Sequence, residues 1–211
     1  PRVGHVDAAA EHADGRAARV QRRLVRGGVD AQRQPADHAA AGARHPTFAL
    51  WPLGSGFEFW QVLSSAFLHG STMHLAVNMF GIWMFGRDIE ATLGSSRFVQ
   101  LYLASVLAAA VAQLVVIGFG DPVPTVGASG GLFGLLGAYA LLFPQRKIML
   151  LIPPIPLPAP VFVTLYALFE LYAGVTGTMS GIAHFAHLGG LVGGFVLLMY
   201  WRGQSQQPRS P

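Results

Sequence analysis

The chain contains no cysteine, and this absence excludes several classes of protein at once. A disulfide scaffold, an enzyme with a catalytic thiolate and a zinc site with cysteine ligands each require residues that are not there. Charged residues are also scarce, at 11% of 211 residues against about 25% in an average soluble domain. Apolar residues make up 52% of the chain. The length suits one domain, and the composition predicts that it is a membrane domain.

Residues 1–46 lack large apolar side chains, since Phe, Trp, Tyr, Ile and Met are all absent from them. They hold eight of the 14 basic residues, so the basic charge belongs mostly to this segment and does not indicate nucleic-acid binding. Such a segment cannot bury enough surface to offset its ordering entropy, and we expect a disordered tail. Ala, Arg, Gly and Pro fill 28 of its 46 positions, and all four have GC-rich codons, so a shifted reading frame is the alternative. It also lacks the continuous apolar core of a signal peptide.

From Thr47 onward, apolar runs alternate with short polar connections. Five runs are predicted to be membrane-spanning helices, the first of them extended on its N-terminal side by amphipathic residues 57–68: Met73–Phe85, Phe98–Phe119, Ala128–Phe143, Ala159–Val175 and Ala183–Trp201. Ile152–Pro160 contains five prolines and is predicted to be a connection. A soluble helical bundle would need charged outer faces, and 11 charges after residue 46 are too few. We predict an all-α polytopic bundle with a membrane domain at 47–203 and a short tail at 204–211.

The basic residues after residue 46 predict the orientation of this bundle. If the five helices alternate in direction, all six basic residues lie on one side of the membrane: Arg87, Arg97, Arg146, Lys147, Arg202 and Arg209. The opposite side has no Lys or Arg. By the positive-inside rule the basic side is cytoplasmic.

Polar residues within membrane spans are costly and therefore indicate function. Ser129 begins the third run and His187 lies near the start of the fifth, so both are expected at a similar depth. A serine hydroxyl becomes a useful nucleophile when a base lies within hydrogen-bond reach. Small residues four apart would let the two helices approach closely; the candidates are Gly127, Gly130, Gly134, Gly189, Gly190, Gly193 and Gly194. Helix packing alone is the other interpretation of each glycine cluster.

His74 and Asn78 are four residues apart and so share one helix face. Both can donate hydrogen bonds, which suits an oxyanion hole, although a polar pair that ties helices together is the alternative. A zinc site made of four histidines is conceivable: His69, His74, His184 and His187. We expect no metal, because the sequence places no Glu or Asp near them as a general base. No other cofactor is predicted.

Three motifs in this order resemble the rhomboid family of intramembrane serine proteases: Phe67–Phe80, Gly127-Ala-Ser-Gly130 and Ala183-His-Phe-Ala-His-Leu-Gly-Gly190. The resemblance covers about Trp60 to Trp201. It implies a Ser–His dyad without a carboxylate, in which Ser129 is the nucleophile and His187 the base. It also implies an oxyanion hole formed by His74, Asn78 and the backbone N–H of Ser129. His184 would touch no reacting atom.

The same resemblance implies a six-helix core, of which the five runs would be helices two to six. Residues 1–46 contain no apolar run for a first helix, so we expect that helix to be missing or scrambled. Gly86–Glu90 and Leu93-Gly94 resemble the turn after the family's second helix, where Glu90 would make structural hydrogen bonds. Gln61 after Trp60 stands where many members have Arg, which could change how the first loop is anchored.

The implied function is cleavage of the transmembrane segments of other proteins within the lipid bilayer, with the compact core typical of bacterial inner-membrane members. Partners would be membrane-protein substrates and not nucleic acid. The alternatives are a non-catalytic rhomboid-like protein that binds membrane clients and a truncated, inactive protease. A transporter is weaker still, because the sequence has no internal repeats.

Overall fold

The structure is a computed structural model that describes residues 46–118, 123–150, 154–179 and 181–205. The predictions for the N-terminal tail up to residue 45 and for residues 206–211 lie outside the described residues. So does the first part of the proline-rich connection, up to Pro153.

Helices dominate the described part of the chain, where six α-helices follow one another: α1 Gln61–Ser64, α2 Thr72–Leu93, α3 Ser95–Ile117, α4 Ser129–Leu142, α5 Ala159–Thr176 and α6 His184–Ser205. Helices α3, α5 and α6 are long and apolar enough to cross a membrane. α4 is equally apolar but has 14 residues. The chain is therefore a helical membrane bundle, as the sequence predicted, and α3 to α6 begin and end close to the predicted runs.

α4 forms the centre of the bundle. It packs against α2, α3, α5 and α6, and 11 of its 14 residues are buried. A helix that is apolar on every face is stable only when neighbours surround it. The first residue of this central helix is Ser129, so the surrounding helices fix the position of the candidate nucleophile.

Two predictions about α2 are wrong. The helix does not end at Phe85 but continues to Leu93, and the connection to α3 is the single residue Gly94, whose φ of 82° favours glycine. Gly86 lies inside the helix, where a Cβ would meet the ring of Phe98 at 3.0 Å. Residues 57–68 do not extend the helix either. They form α1 and a 3₁₀ turn at Ser65–Phe67, after which the backbone is extended at Leu68.

The segment between α4 and α5 contains an element that the sequence did not predict. Strand β1, Lys147–Met149, pairs antiparallel with strand β2, Pro156–Pro158. Prolines are tolerated in such a two-stranded ribbon because the missing N–H groups can face its edge. α5 begins directly afterwards at Ala159, with Pro160 in its first turn.

Basic side chains gather at one end of the bundle. Arg146, after α4, forms an ion pair with Asp88 of α2. Arg202 of α6 donates from Nη2 to the carbonyl of Leu141 at 2.9 Å. The guanidinium of Arg97 lies 5.7 Å from the ring centre of Trp201. That all six basic groups share one side of the membrane stays a prediction.

Candidate active site

Ser129 and His187 meet at the other end of α4. Ser129 is the first residue of α4, and His187 lies in the first turn of α6. The Ser129 Oγ and the His187 Nε2 are 2.8 Å apart. This is hydrogen-bond distance, so the hydroxyl can donate to the imidazole whenever Nε2 carries no proton.

Glycines make this contact between two helices possible. A Cβ on Gly190 would overlap the carbonyl of Gly130, and a Cβ on Gly194 would lie 2.5 Å from the carbonyl oxygen of Gly134. The α4 and α6 backbones are therefore in direct contact along this line. A Cβ on any of four further positions would meet a small side chain of α3. The pairs are Gly130 with Ala109, Gly134 with Ser105, Gly189 with Ala112 and Gly193 with Ala108. We call this line of contact between α4 and α6 the glycine seam. Gly127 lies before α4 and is not part of it.

The ring of His187 is held flat against Phe133. Their ring centres are 4.3 Å apart and the planes differ by 5°. Phe133 is buried and lies one turn after Ser129 on α4. The stack fixes the plane of the imidazole, which directs Nε2 towards the serine.

A carboxylate also lies beside His187, a neighbour that the sequence did not predict. Glu170 of α5 is 2% exposed, and its Oε2 lies 3.0 Å from the His187 Nδ1. The angle at this contact is too poor for a hydrogen bond, although the distance suits an ion pair. The same oxygen lies 2.6 Å from the His184 Nδ1, and the His184 Nε2 lies 3.1 Å from the carbonyl oxygen of Thr178.

The expectation that no metal binds rests on the absence of an acidic residue near the histidines. Glu170 is such a residue, so that reason no longer holds. Among the described residues, the group able to hold a metal ion is Glu170, His184 and His187, whose donor atoms lie within 4.8 Å of one another. It differs from the four-histidine set considered from the sequence. His69 and His74 instead form an edge-to-face ring pair with centres 5.2 Å apart. Burial lowers the pKa of His69 below its ordinary value.

His74 borders the serine. A Cβ placed on Gly127 would lie 3.0 Å from the His74 Nε2 and 3.6 Å from the Ser129 Oγ. Gly127 has a φ of 132°, so glycine is needed there both for the backbone conformation and for the space. Asn78 is buried, and its Nδ2 donates one hydrogen bond to the carbonyl of His74 at 2.9 Å. An amide NH₂ has a second hydrogen to donate.

A small cavity of about 30 Å³ opens beside these groups. Its lining includes Ser65, Gly127, Ser129 and Ala186. A volume of this size holds one water molecule. The site therefore combines a hydroxyl, an imidazole and room for a small reactant.

The first loop is anchored by Gln61, the residue that departs from the family's usual Arg. The Gln61 Nε2 donates to the carbonyls of Thr47 and Gly56 at 3.1 Å, and its Oε1 accepts from the Trp51 N–H at 3.1 Å. Leu50 pairs with Thr125 through two backbone hydrogen bonds of 2.9 and 2.8 Å. The loop is thereby tied to the segment that leads into Ser129.

Glu90 lies far from this arrangement in the last turn of α2. Its side chain is exposed and makes no hydrogen bond within the described part of the chain, while its backbone carbonyl accepts from the N–H of Gly94 at 2.8 Å. The predicted structural hydrogen bonds of the Glu90 side chain are not formed there.

Sequence reasoning missed Glu170 and Phe133. A signal existed for Glu170, because it is the one charged residue in the apolar helix α5. A lone acid in a membrane span normally has a partner inside the bundle. Phe133 gave no comparable signal, since an aromatic residue in an apolar run is usually just part of the core.

Comparison with known proteins identifies the family of this chain. The Rhomboid domain family matches residues 56–204. Similar proteins include Rhomboid protein 1, mitochondrial, of Saccharomyces cerevisiae, 34% identical over 142 residues that cover 56% of this chain and 40% of that protein. Rhomboid protease GluP of Bacillus subtilis is 32% identical over 65% of this chain and 25% of its own length. Putative rhomboid protease YdcA of Bacillus subtilis is 31% identical over 66% of each chain.

The matched region thus spans less than half the length of the yeast protein and of GluP. Two of these three relatives carry the word protease in their names. The family match covers well over half of this chain and contains Ser129, His187 and the glycine seam between α4 and α6. The chain belongs to the rhomboid family of integral membrane proteins.

Proposed function

We propose that this protein is an intramembrane serine endopeptidase that uses Ser129 as nucleophile and His187 as general base and acid. The observation that carries the proposal is the 2.8 Å contact between the Ser129 Oγ and the His187 Nε2 inside a membrane bundle. Helix packing alone would be satisfied by any small residue at position 129, because the glycines already allow α4 and α6 to touch. Nucleophilic catalysis, by contrast, needs an imidazole partner for the serine.

In the proposed reaction the Ser129 Oγ attacks the carbonyl carbon of the scissile peptide bond while its proton passes to the His187 Nε2. The tetrahedral intermediate expels the amine, which takes that proton, and leaves an acyl group on Ser129. His187 then removes a proton from a water molecule, whose oxygen attacks the ester. The second intermediate releases the new carboxyl end and returns the proton to Ser129.

The negative charge on the carbonyl oxygen needs donors in both intermediates. The first N–H groups of a helix have no acceptor within the helix, and Ser129 is the first residue of α4. We assign the Ser129 N–H, the His74 ring and the second amide hydrogen of Asn78 to this oxyanion. The glycine at position 127 leaves open the space between the His74 ring and the Ser129 Oγ.

The proposed substrates are transmembrane segments of other membrane proteins. A substrate helix must partly unwind to present a peptide bond to Ser129, and Gly or Pro lowers the cost of unwinding. We place the basic end of the bundle in the cytoplasm of a bacterial cell, with the protein in the inner membrane.

The test is cleavage of a generic transmembrane substrate by the purified protein in detergent, beside Ser129→Ala. The expected result is one new pair of fragments that the variant does not produce. Substrate that co-purifies with the protein but stays intact would instead support the non-catalytic alternative. Equal cleavage by Ser129→Ala would contradict the proposal, because a contaminating protease would then explain the fragments.

A further inference from the structure

We propose that Glu170 is a positioning residue that orients His187, so that the catalytic unit of this chain is Ser129–His187–Glu170. The inference rests on the proposed function and goes beyond it, because the family resemblance implies a dyad without a carboxylate. The carboxylate comes from α5, the imidazole from α6 and the hydroxyl from α4.

The burial of Glu170 is the first argument. The residue is 2% exposed within an apolar membrane helix that carries no other charged side chain. An acid in such a place is costly unless it has partners. Its partners among the described residues are the Nδ1 atoms of His184 and His187, three residues apart on α6.

The tautomer of His187 is the second argument. To accept the serine proton, Nε2 must be unprotonated, so the hydrogen of the neutral ring lies on Nδ1. Among the described residues, Nδ1 has no hydrogen-bond partner, yet the Glu170 Oε2 lies 3.0 Å away. A small rotation of either side chain would align this contact. Active-site hydrogen bonds are often poorly aligned before substrate binds and tighten in the complex.

His184 supplies the third argument, because it holds the carboxylate in place. The carbonyl oxygen of Thr178 can only accept, so the His184 Nε2 at 3.1 Å carries a hydrogen. The His184 Nδ1 then shares one proton with the Glu170 Oε2 at 2.6 Å. The same oxygen faces His187, so Glu170 can stabilise the imidazolium that forms when Ser129 attacks. The Nδ1 hydrogen of His187 stays on the ring throughout.

The test compares Glu170→Gln, which keeps the shape and removes the charge, with the wild-type protein. A fluorophosphonate that labels the reactive serine is used to count competent molecules, and kcat is expressed per labelled serine. We expect kcat to fall roughly tenfold to a hundredfold, less than the ~10⁴ known for a fully aligned triad carboxylate. KM should stay within about twofold, because the effect lies in the transition state.

Three controls separate this role from a structural one. Glu90→Gln makes the same chemical change at an exposed site and should keep the wild-type kcat. The side chains in Glu170→Asp and Glu170→Asn have the same length and differ only in charge. The Glu170→Asp variant should therefore keep the higher kcat per labelled serine. This comparison holds even if Glu170→Gln folds poorly. A zinc chelator should leave wild-type kcat unchanged.

Glu170→Gln with wild-type kcat per labelled serine would overturn the inference, as would equal losses in the Asp and Asn variants. Loss of activity on chelation would also overturn it, because the cluster would then hold a metal ion. If the wild-type protein neither cleaves substrate nor reacts with the fluorophosphonate, the proposed function itself fails. If the wild-type protein is active and Glu170→Gln is indistinguishable from it, the inference about Glu170 alone fails.

Discussion

The two ends of α4 use polar groups in opposite ways. At its start, Ser129 contacts His187, and Glu170 lies beside the Nδ1 of that imidazole. The side chains of His187 and Glu170 are both buried. At its other end, about 20 Å away along 14 residues, charged side chains sit at the surface. The side chain of Arg146 there is 54% exposed beside Asp88.

This difference indicates which contacts matter for activity. An ion pair at the surface is screened by water and contributes little to stability, so we expect the charged end to act mainly on the orientation in the membrane. Buried polar groups are costly when they lose a partner, and they are held in one geometry by the helices around them. Substitutions at the start of α4 should therefore have large effects on activity, and those at its other end small ones.

The largest expected effect is at Ser129 and His187. Ser129→Ala and His187→Ala should each lower kcat by at least ~10³-fold, because each removes one member of a unit that works together. His184→Ala should keep much more activity, since His184 contacts Glu170 and not Ser129. Cleavage rates of the three variants on one substrate check this. If His184→Ala were dead and His187→Ala active, the assignment of the base would be wrong.

The next effect is expected at the proposed oxyanion donors. Asn78→Ala and His74→Ala should lower kcat on the order of 10²–10³-fold with a smaller change in KM, since these donors act on the transition state. Steady-state kinetics with one substrate measure both parameters. An unchanged kcat in both variants would remove the two residues from the mechanism.

A third prediction concerns the seam that brings the dyad together. Gly190→Ala should destabilise the protein by about 1–3 kcal/mol, because the new methyl group would overlap the carbonyl of Gly130. Activity should fall with it as α6 shifts away from α4. Gly203→Ala is the matched control on the same helix, since a Cβ there meets nothing within 4 Å. Thermal unfolding in detergent measures the stability of both variants. Equal stability of the two would contradict the close backbone contact between α4 and α6.

The smallest effect is expected at the charged end. Asp88→Asn removes the partner of Arg146 and should change the Tm by less than about 2 °C, because the Arg146 side of that pair is open to solvent, which screens the charges. The cleavage rate should stay within about twofold of wild type. A large loss of activity in this variant would show that the two ends of α4 are coupled and that the contrast between them is wrong.

Most of the bundle could be predicted from the sequence because membrane spans are long apolar runs. α5 was predicted as Ala159–Val175 and observed as Ala159–Thr176. The end of α2 could not be predicted in this way. The predicted run ended at Phe85 and Gly86–Glu90 resembled a turn, yet these residues continue the helix. Hydropathy indicates which residues fit the apolar core of the membrane. It does not indicate the residue at which the backbone hydrogen bonding of a helix ends.

The candidate site divides along similar lines. Ser129 and His187 could be paired from the sequence, because each is polar within an apolar run and lies at the same depth. The contact with Glu170 could not, since it depends on how α5 rotates against α6, and no sequence spacing encodes that rotation. Phe133 is a similar case, because its stacking on His187 depends on the distance between α4 and α6 that the glycines set.

The most direct test of the account is to locate the reactive residue chemically. The purified wild-type protein is treated with a fluorophosphonate, digested and analysed by mass spectrometry, beside His187→Ala. The account predicts that the phosphonyl group is found on Ser129 of the wild-type protein and that the variant reacts far more slowly. A group found on another serine, or a variant that reacts at the wild-type rate, would contradict the claim that His187 activates Ser129.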